Sequence, residues 1–273
     1  MKIILYTNVF LIINLLLLPF NSAYSKILSS YEVEVGMNID EASAIRLIDH
    51  FNLKTKISRE DYYINIHEAG EFKMLNHSLR VKHFLSKVGP IVQISEKSAI
   101  NWSRCVLNRL KTTQKIKFDV PIPNSRFQNF KDSFTDTIKE ISKKKANSKD
   151  FGYFSKAVKR LSHPNYDLIK QYYTEDSILT PVKKSFQRKY KSYFKAEGVD
   201  LKITVGQSTD LVGKNVLNKR YDIEFSTTDR SISLNDFANI ACSILRSPGV
   251  PKVRQTAPQK LAENYTRELI NNL

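Results

Sequence analysis

The chain reads as an α+β fold in which most of the sheet is built from strands charged on one side and apolar on the other. Two observations predict it. Seven or eight short stretches alternate apolar with charged residues at the period of a strand, and between them lie amphipathic stretches at helical spacing. The charged faces also come in blocks: acidic in the first and last strands of the series, basic between. An ordinary solvent face would mix the signs. If the sheet closes into a barrel with these faces inward, acidic and basic groups converge on a lumen, where burial without partners would be costly. A hydrated lumen that holds a polyanion and a divalent cation removes that cost.

The first 25 residues precede this pattern. Lys2 is the only charge before Lys26, Ile3 to Phe20 is largely apolar, and Ala23-Tyr24-Ser25 offers small residues where a cleavage site needs them. Residues 1–25 are therefore expected to be a secretory signal and 26–273 the folded unit, in a secreted or periplasmic protein. An uncleaved anchor is the alternative, although the run barely reaches spanning length. The formal charge of +16 points to an anionic partner. Cys105 and Cys242 match no metal or redox spacing, and the sequence leaves open a single disulfide or two thiols on apolar helical faces. The sequons at Asn76, Asn101 and Asn264 matter only in a host that glycosylates them.

In order, the mature chain opens with Tyr31 to Gly36, where Glu32 and Glu34 share one strand face and Val33 and Val35 the other. Like charges ~7 Å apart on one face repel, so something positive should face them. Asn38 and Glu41 form a capping box for a helix carrying Ala44, Ile45, Leu47, Ile48 and Phe51. Strands follow at Tyr62 to His67, Ser78 to Phe84 and Ile91 to Ser98. In the second of these Arg80 and Lys82 repeat the acidic design with opposite sign. Ala99 to Leu110 reads as a helix through Ile100, Val106, Leu107 and Leu110. Lys115, Lys117 and Asp119 then alternate with Ile116, Phe118 and Val120 until prolines stop the strand.

From about 124 to 180 the pattern turns helical. Phe127, Phe130, Phe134, Ile138 and Ile141 recur at spacings of three and four, a second helix runs over Phe151 to Leu161, and a third follows Pro164 to about Tyr173. This is a helical insertion between strands, and Lys143-Lys144-Lys145 reads as a solvated helix end. Strands resume with Arg188, Lys189 and Lys191, then Leu201 to Gly206 with Lys202. Tyr221 to Ser226 next repeats the opening pattern with Asp222 and Glu224 on one face. Ser233 and Asp236 start a helix that Pro248-Gly249 ends, and Pro258 opens a C-terminal one.

Several chemistries are excluded. The eight glycines form no phosphate-binding loop, dinucleotide fingerprint or nucleophile elbow, and the five histidines make no HExxH pattern. His67, His77 and His83 are near one another in sequence but in no zinc-like arrangement.

Glu32-Val33-Glu34, Tyr62-Tyr63 followed by Leu79-Arg80-Val81-Lys82, the basic strand at Arg188 and Lys189, and Leu201 to Val205 leading to Asp222-Ile223-Glu224 resemble the CYTH-type triphosphate tunnel metalloenzymes. That order spans nearly the whole mature chain. The resemblance implies a closed antiparallel barrel of about eight strands with surrounding helices. It also implies a lumen for triphosphate or polyphosphate with Mg²⁺ or Mn²⁺, and hydrolysis of a phosphoanhydride. On it, Glu32, Glu34, Asp222 and Glu224 would hold metal, while Arg80, Lys82 and Arg188 would hold phosphate, joined by Lys115, Lys117, Lys189 and Lys202 of the basic faces. Glu34 is the candidate for orienting the attacking water. Two departures stand out: the family's opening motif continues Glu-x-Glu-x-Lys where this chain has Gly36, and Gly206 stands where an Asp is usual. Export disfavours an ATP-dependent cyclase and fits inorganic polyphosphate or scavenged nucleotides. The alternatives are a secreted polyanion binder without turnover, and an external basic surface on nucleic acid or an anionic membrane.

Overall fold

Each strand turns its apolar side to a covering helix and its charged side to the barrel axis. The structure, a computed structural model, describes residues 28–67, 77–85, 89–143, 145–161, 177–212 and 215–257. The expected leader, the helix after Pro164 and the helix from Pro258 lie outside these residues. Strands β1 (Leu28–Ile39), β2 (Thr55–His67), β3 (His77–Phe84), β4 (Ile91–Cys105), β5 (Asn108–Pro121), β6 (Ile178–Ala196), β7 (Val199–Val212) and β8 (Asn215–Thr227) form one closed barrel in the order β1-β5-β4-β3-β2-β6-β7-β8. Every neighbouring pair is antiparallel, and β8 closes on β1. The acidic first and last strands therefore lie side by side, with basic β5 on the other flank of β1.

Among the described residues, four helices coat the outside: α1 (Glu41–His50), α2 (Asn124–Ser142), α3 (Ser148–Leu161) and α4 (Leu234–Arg246). The helical insertion packs α2 and α3 over β2, β3, β4 and β6. Phe127, Phe130 and Phe134 meet Tyr62 edge-on at ring separations of 5.8, 5.6 and 5.1 Å, and Phe130 and Phe154 are fully buried. A second core joins α1 and α4 to β1, β7 and β8 through Val33, Val35, Leu47, Ile203, Phe225 and Phe237. Burying side chains of this size stabilises by roughly 1.5–3 kcal/mol each, which anchors every charged face by its apolar reverse. No helix among the described residues is long and apolar enough to cross a membrane.

The structure corrects two local expectations. The cap of α1 is Asp40, whose Oδ1 accepts from the Ser43 amide at 2.7 Å, not Asn38. Asn38 stays in β1 because it pairs with Asp222 and its carbonyl accepts from the Thr256 amide at 3.1 Å. Ala99 to Leu110 is not a helix but a strand, a two-residue turn at Val106-Leu107 and the start of the next strand. Its register shifts between Lys97 and Ala99, so the alternation restarts one residue out of phase. Cys105 of this hairpin is disulfide-bonded to Cys242 of α4, which settles the open question of pairing. Ser233 caps α4 as expected, accepting from the Asp236 amide at 3.1 Å.

Candidate functional site

Strand period places Glu32 and Glu34 of β1 on the axis side, and the register sets Lys115 of β5 opposite Glu32 and Ser30 opposite Lys117. The lysines lean across to the carboxylates. Lys115 bonds Glu34; Lys117 bonds Glu32 and reaches Glu34 at 2.9 Å; Lys202 of β7 reaches Glu32 at 2.7 Å. Glu32 is almost wholly buried. Glu224 of β8 faces the same group. Burial pushes its carboxyl up, but the combined field of Lys189, Lys115, Lys117 and Lys202 wins and holds it far below the usual carboxylate range. Burial, against the opposing pull of Glu224, brings Lys115 and Lys117 each down to about 8, with Lys189 and Lys202 adding to the fall.

A second cluster lies on β2, β3 and β4. Asp61 is fully buried and pairs with Arg59 at 2.8 Å and Arg80 at 3.5 Å. Arg80 Nε donates to Gln93 Oε1 at 2.9 Å, and Gln93 Nε2 donates to Asp119 Oδ1 at 2.5 Å. Lys82 is buried beside them. Desolvation, then Arg80 and Arg59, push its ammonium well below the ordinary lysine range. Further along, buried Asp210 pairs with Lys183 at 2.7 Å.

Apart from Asp61, Lys183 and Asp210, these groups line a cavity of about 980 Å³, at the upper end of what a small-molecule pocket needs (roughly 300–1,000 Å³). Twelve lysines and arginines line it against five carboxylates. Among the described residues, the cations that line this partly enclosed space outnumber the carboxylates, and an anion of several charges would balance them.

Of the residues singled out from the sequence, Glu32, Glu34, Arg80, Lys82, Lys115, Lys117, Lys189, Lys202, Asp222 and Glu224 all line this cavity. Arg188 does not. It is exposed on the outer face, its guanidinium 5.5 Å from the Phe186 ring centroid, because Lys189 takes the inward position of β6. Sequence reasoning missed Arg59 and Asp61, since it began β2 at Tyr62. Ser58-Arg59-Glu60-Asp61 is polar on both faces, so no apolar alternation marks it; the usable signal was that Arg59, Asp61 and Tyr63 share parity.

Four carboxylates on adjacent β1 and β8 are the oxygen donors a hard divalent ion takes. Among the described residues, however, no three such side chains stand close enough to cage an ion unaided. Glu32 and Glu34 are taken up by ammonium groups. The donor set fits Mg²⁺ or Mn²⁺ only in the manner of an ion held by one or two carboxylates and completed by substrate phosphate oxygens.

No family model matches this chain, and no curated protein matches it in sequence. Solved structures do match. The HpAC1 protein of Hippeastrum, described as having a dominant triphosphatase activity, is 12% identical with a TM-score of 0.45, over 87% of this chain and 95% of that one. The RNA triphosphatase Pct1 of S. pombe is 10% identical with a TM-score of 0.38, over 97% and 90%. The Mimivirus capping-enzyme triphosphatase is 10% identical with a TM-score of 0.40, over 79% and 88%. All three are described as triphosphatases or as having triphosphatase activity. At these identities and overlaps the likeness says nothing of this chain's own activity, which has to be read from its lumen.

Proposed function

We propose that the barrel takes a triphosphate or inorganic polyphosphate chain into its lumen and hydrolyses a phosphoanhydride bond there. The observation that carries this reading is the convergence of twelve cationic side chains on one cavity that also holds carboxylates from β1 and β8. Arg59 and Arg80, with Lys82, Lys115, Lys117, Lys189 and Lys202, would bind non-bridging phosphate oxygens through charge-assisted hydrogen bonds. Charge that develops on the leaving phosphate is then stabilised by groups already in place, the main protein contribution to phosphoryl transfer. Glu34, between Lys115 and Lys117, is the group that would orient the attacking water. One or two of the β1 and β8 carboxylates, among Glu32, Glu34, Asp222 and Glu224, would hold Mg²⁺ or Mn²⁺ together with substrate phosphate oxygens, and the ion would neutralise phosphate charge.

A second reading, binding without turnover, is favoured by one observation: the two β1 carboxylates are already engaged by lysines, and Gly36 offers no side chain to the lumen. One experiment separates the two. Phosphate release from tripolyphosphate is followed with Mg²⁺, with Mn²⁺ and with chelator, beside calorimetric binding, for the native protein and Glu34→Gln. Release that Glu34→Gln abolishes while binding persists supports hydrolysis. Binding without release in any condition establishes the binder, and absence of both removes the lumenal reading.

A further inference from the structure

The β4–β5 hairpin projects past the part of the barrel that holds the lysine–glutamate pairs, and it presents apolar groups to solvent. Among the described residues ten large hydrophobic side chains are exposed, and four of them, Ile100, Trp102, Val106 and Leu107, lie between Ala99 and Lys111 at the end of this hairpin. Leu107 at the turn is 95% exposed. The turn backbone makes the choice of residue stranger. Val106 has φ 55°, a conformation that suits Gly or Asn and is strained for a β-branched side chain. A tip selected only to reverse the chain would carry neither valine there nor leucine beside it.

The tip is held in place rather than left loose. Cys105 is bonded to Cys242 of α4, and the Gln255 side chain clamps the Arg109 backbone, accepting from its amide and donating to its carbonyl, each at 2.8 Å. Its surroundings are cationic. From Ala99 to Lys111 there are three basic residues and no carboxylate. Beside the tip, Arg104 and Arg246 line a shallow basin together with Ser243 and Ser247. A fixed apolar prong beside a cationic, hydroxyl-bearing basin matches one kind of partner in both parts: acyl chains for the tip and lipid phosphates for the basin. Single-stranded nucleic acid would use the basin and an aromatic platform but has nothing for Val106 and Leu107. The face of Trp102 is in any case covered by Arg109, whose guanidinium lies 4.6 Å from the ring centroid.

We propose that this hairpin docks the protein on an anionic lipid bilayer, Val106 and Leu107 entering the interface while Arg104 and Arg246 hold headgroup phosphates. Trp102 and Arg109 border the lumenal cavity, but Val106, Leu107, Arg104 and Arg246 lie outside its lining, so the proposal does not rest on the lumenal reading. It is tested by cosedimentation of the full chain with phosphatidylcholine vesicles and with equimolar phosphatidylcholine–phosphatidylserine vesicles. Trp102, the only tryptophan, reports entry by its emission. Binding is expected to the mixed vesicles, weakened by salt, with a blue shift. The double variant Val106→Gly/Leu107→Ser relieves the strained turn, so it should fold at least as well, retain tripolyphosphate binding, and lose vesicle affinity by about tenfold or more. Arg104→Gln/Arg246→Gln should lose the preference for phosphatidylserine. Failure of the native protein to bind mixed vesicles above the phosphatidylcholine background overturns the proposal. So does undiminished binding by the tip variant, or a tip-dependent affinity for single-stranded nucleic acid in place of vesicles.

Discussion

Gly36 of β1 is the register partner of Glu224 on β8, at the seam where the barrel closes, and a Cβ built on it would come within 2.8 Å of the Ile223 carbonyl oxygen. The glycine that departs from the resembled Glu-x-Glu-x-Lys pattern is thus required by a close backbone approach. Restoring lysine by Gly36→Lys should not restore function but should destabilise the barrel by about 1–3 kcal/mol, and Gly36→Ala should have the same sign. Gly206 is the instructive contrast: its added Cβ would meet Asp222 Oδ1 at 2.9 Å, a side chain that can swing aside. Urea unfolding of Gly36→Ala and Gly206→Ala should rank the first as the more damaging. Equal stability of the native protein and Gly36→Ala would show that the seam is looser than described.

Lys117 joins Glu32 and Glu34, which would otherwise face each other across one strand position. Lys117→Met keeps the length of the side chain and removes the charge. Because Lys115 still serves Glu34 and Lys202 still serves Glu32, the expected loss of stability is about 1–3 kcal/mol, less than for a pair left with no partner. Tripolyphosphate affinity should fall by roughly tenfold to a hundredfold, the worth of one charge-assisted contact. Calorimetry on the folded variant checks this, and unchanged affinity would remove Lys117 from the phosphate path.

The two lysines also set a pH dependence. Burial brings the Lys115 and Lys117 ammonium groups to about 8 in the folded chain from an ordinary value of 10.5. Their protonated form binds phosphate, so tripolyphosphate affinity should decline as pH rises through about 8. Stability moves the other way. Between about 8 and 10.5 the unfolded chain holds more protons, so the contribution of these two groups to stability rises with pH across that window. Below about 8 both states are protonated and the full penalty remains. Binding isotherms and urea unfolding at a series of pH values test the two opposed slopes.

Much of this arrangement was readable in the sequence because a strand with one buried face must alternate. Glu32 with Val33 and Lys115 with Ile116 report the lumen directly, and the reversal of sign between strands reports closure. Reading failed where alternation carried no contrast. Arg188 and Lys189 are both basic, so which of them faces inward depends on register with β2 and β7, a tertiary property. Arg59 and Asp61 lie in a run with polar residues on both sides. Ile100, Val106 and Leu107 looked like a helical stripe because apolar residues were assumed to mark a core, whereas here they stand in solvent beyond a bulge that shifts the phase of β4. The metal expectation had a similar weakness, since sequence shows which strands carry carboxylates but not that lysines from β5 and β7 reach across to them.

The Cys105–Cys242 bond ties the tip of the β4–β5 hairpin to α4 across 137 positions of sequence. Closing so long a loop in the unfolded chain should contribute about 2–5 kcal/mol. Cys105→Ala/Cys242→Ala is expected to lower stability by that amount without opening the barrel, because Leu110 and Phe237 stay buried in the same core and Gln255 still clamps Arg109. Tripolyphosphate binding should therefore survive. Urea unfolding of the native protein with and without reductant, beside the double variant, measures the difference. A loss of binding on reduction would show instead that the hairpin shapes the lumen through its tether to α4.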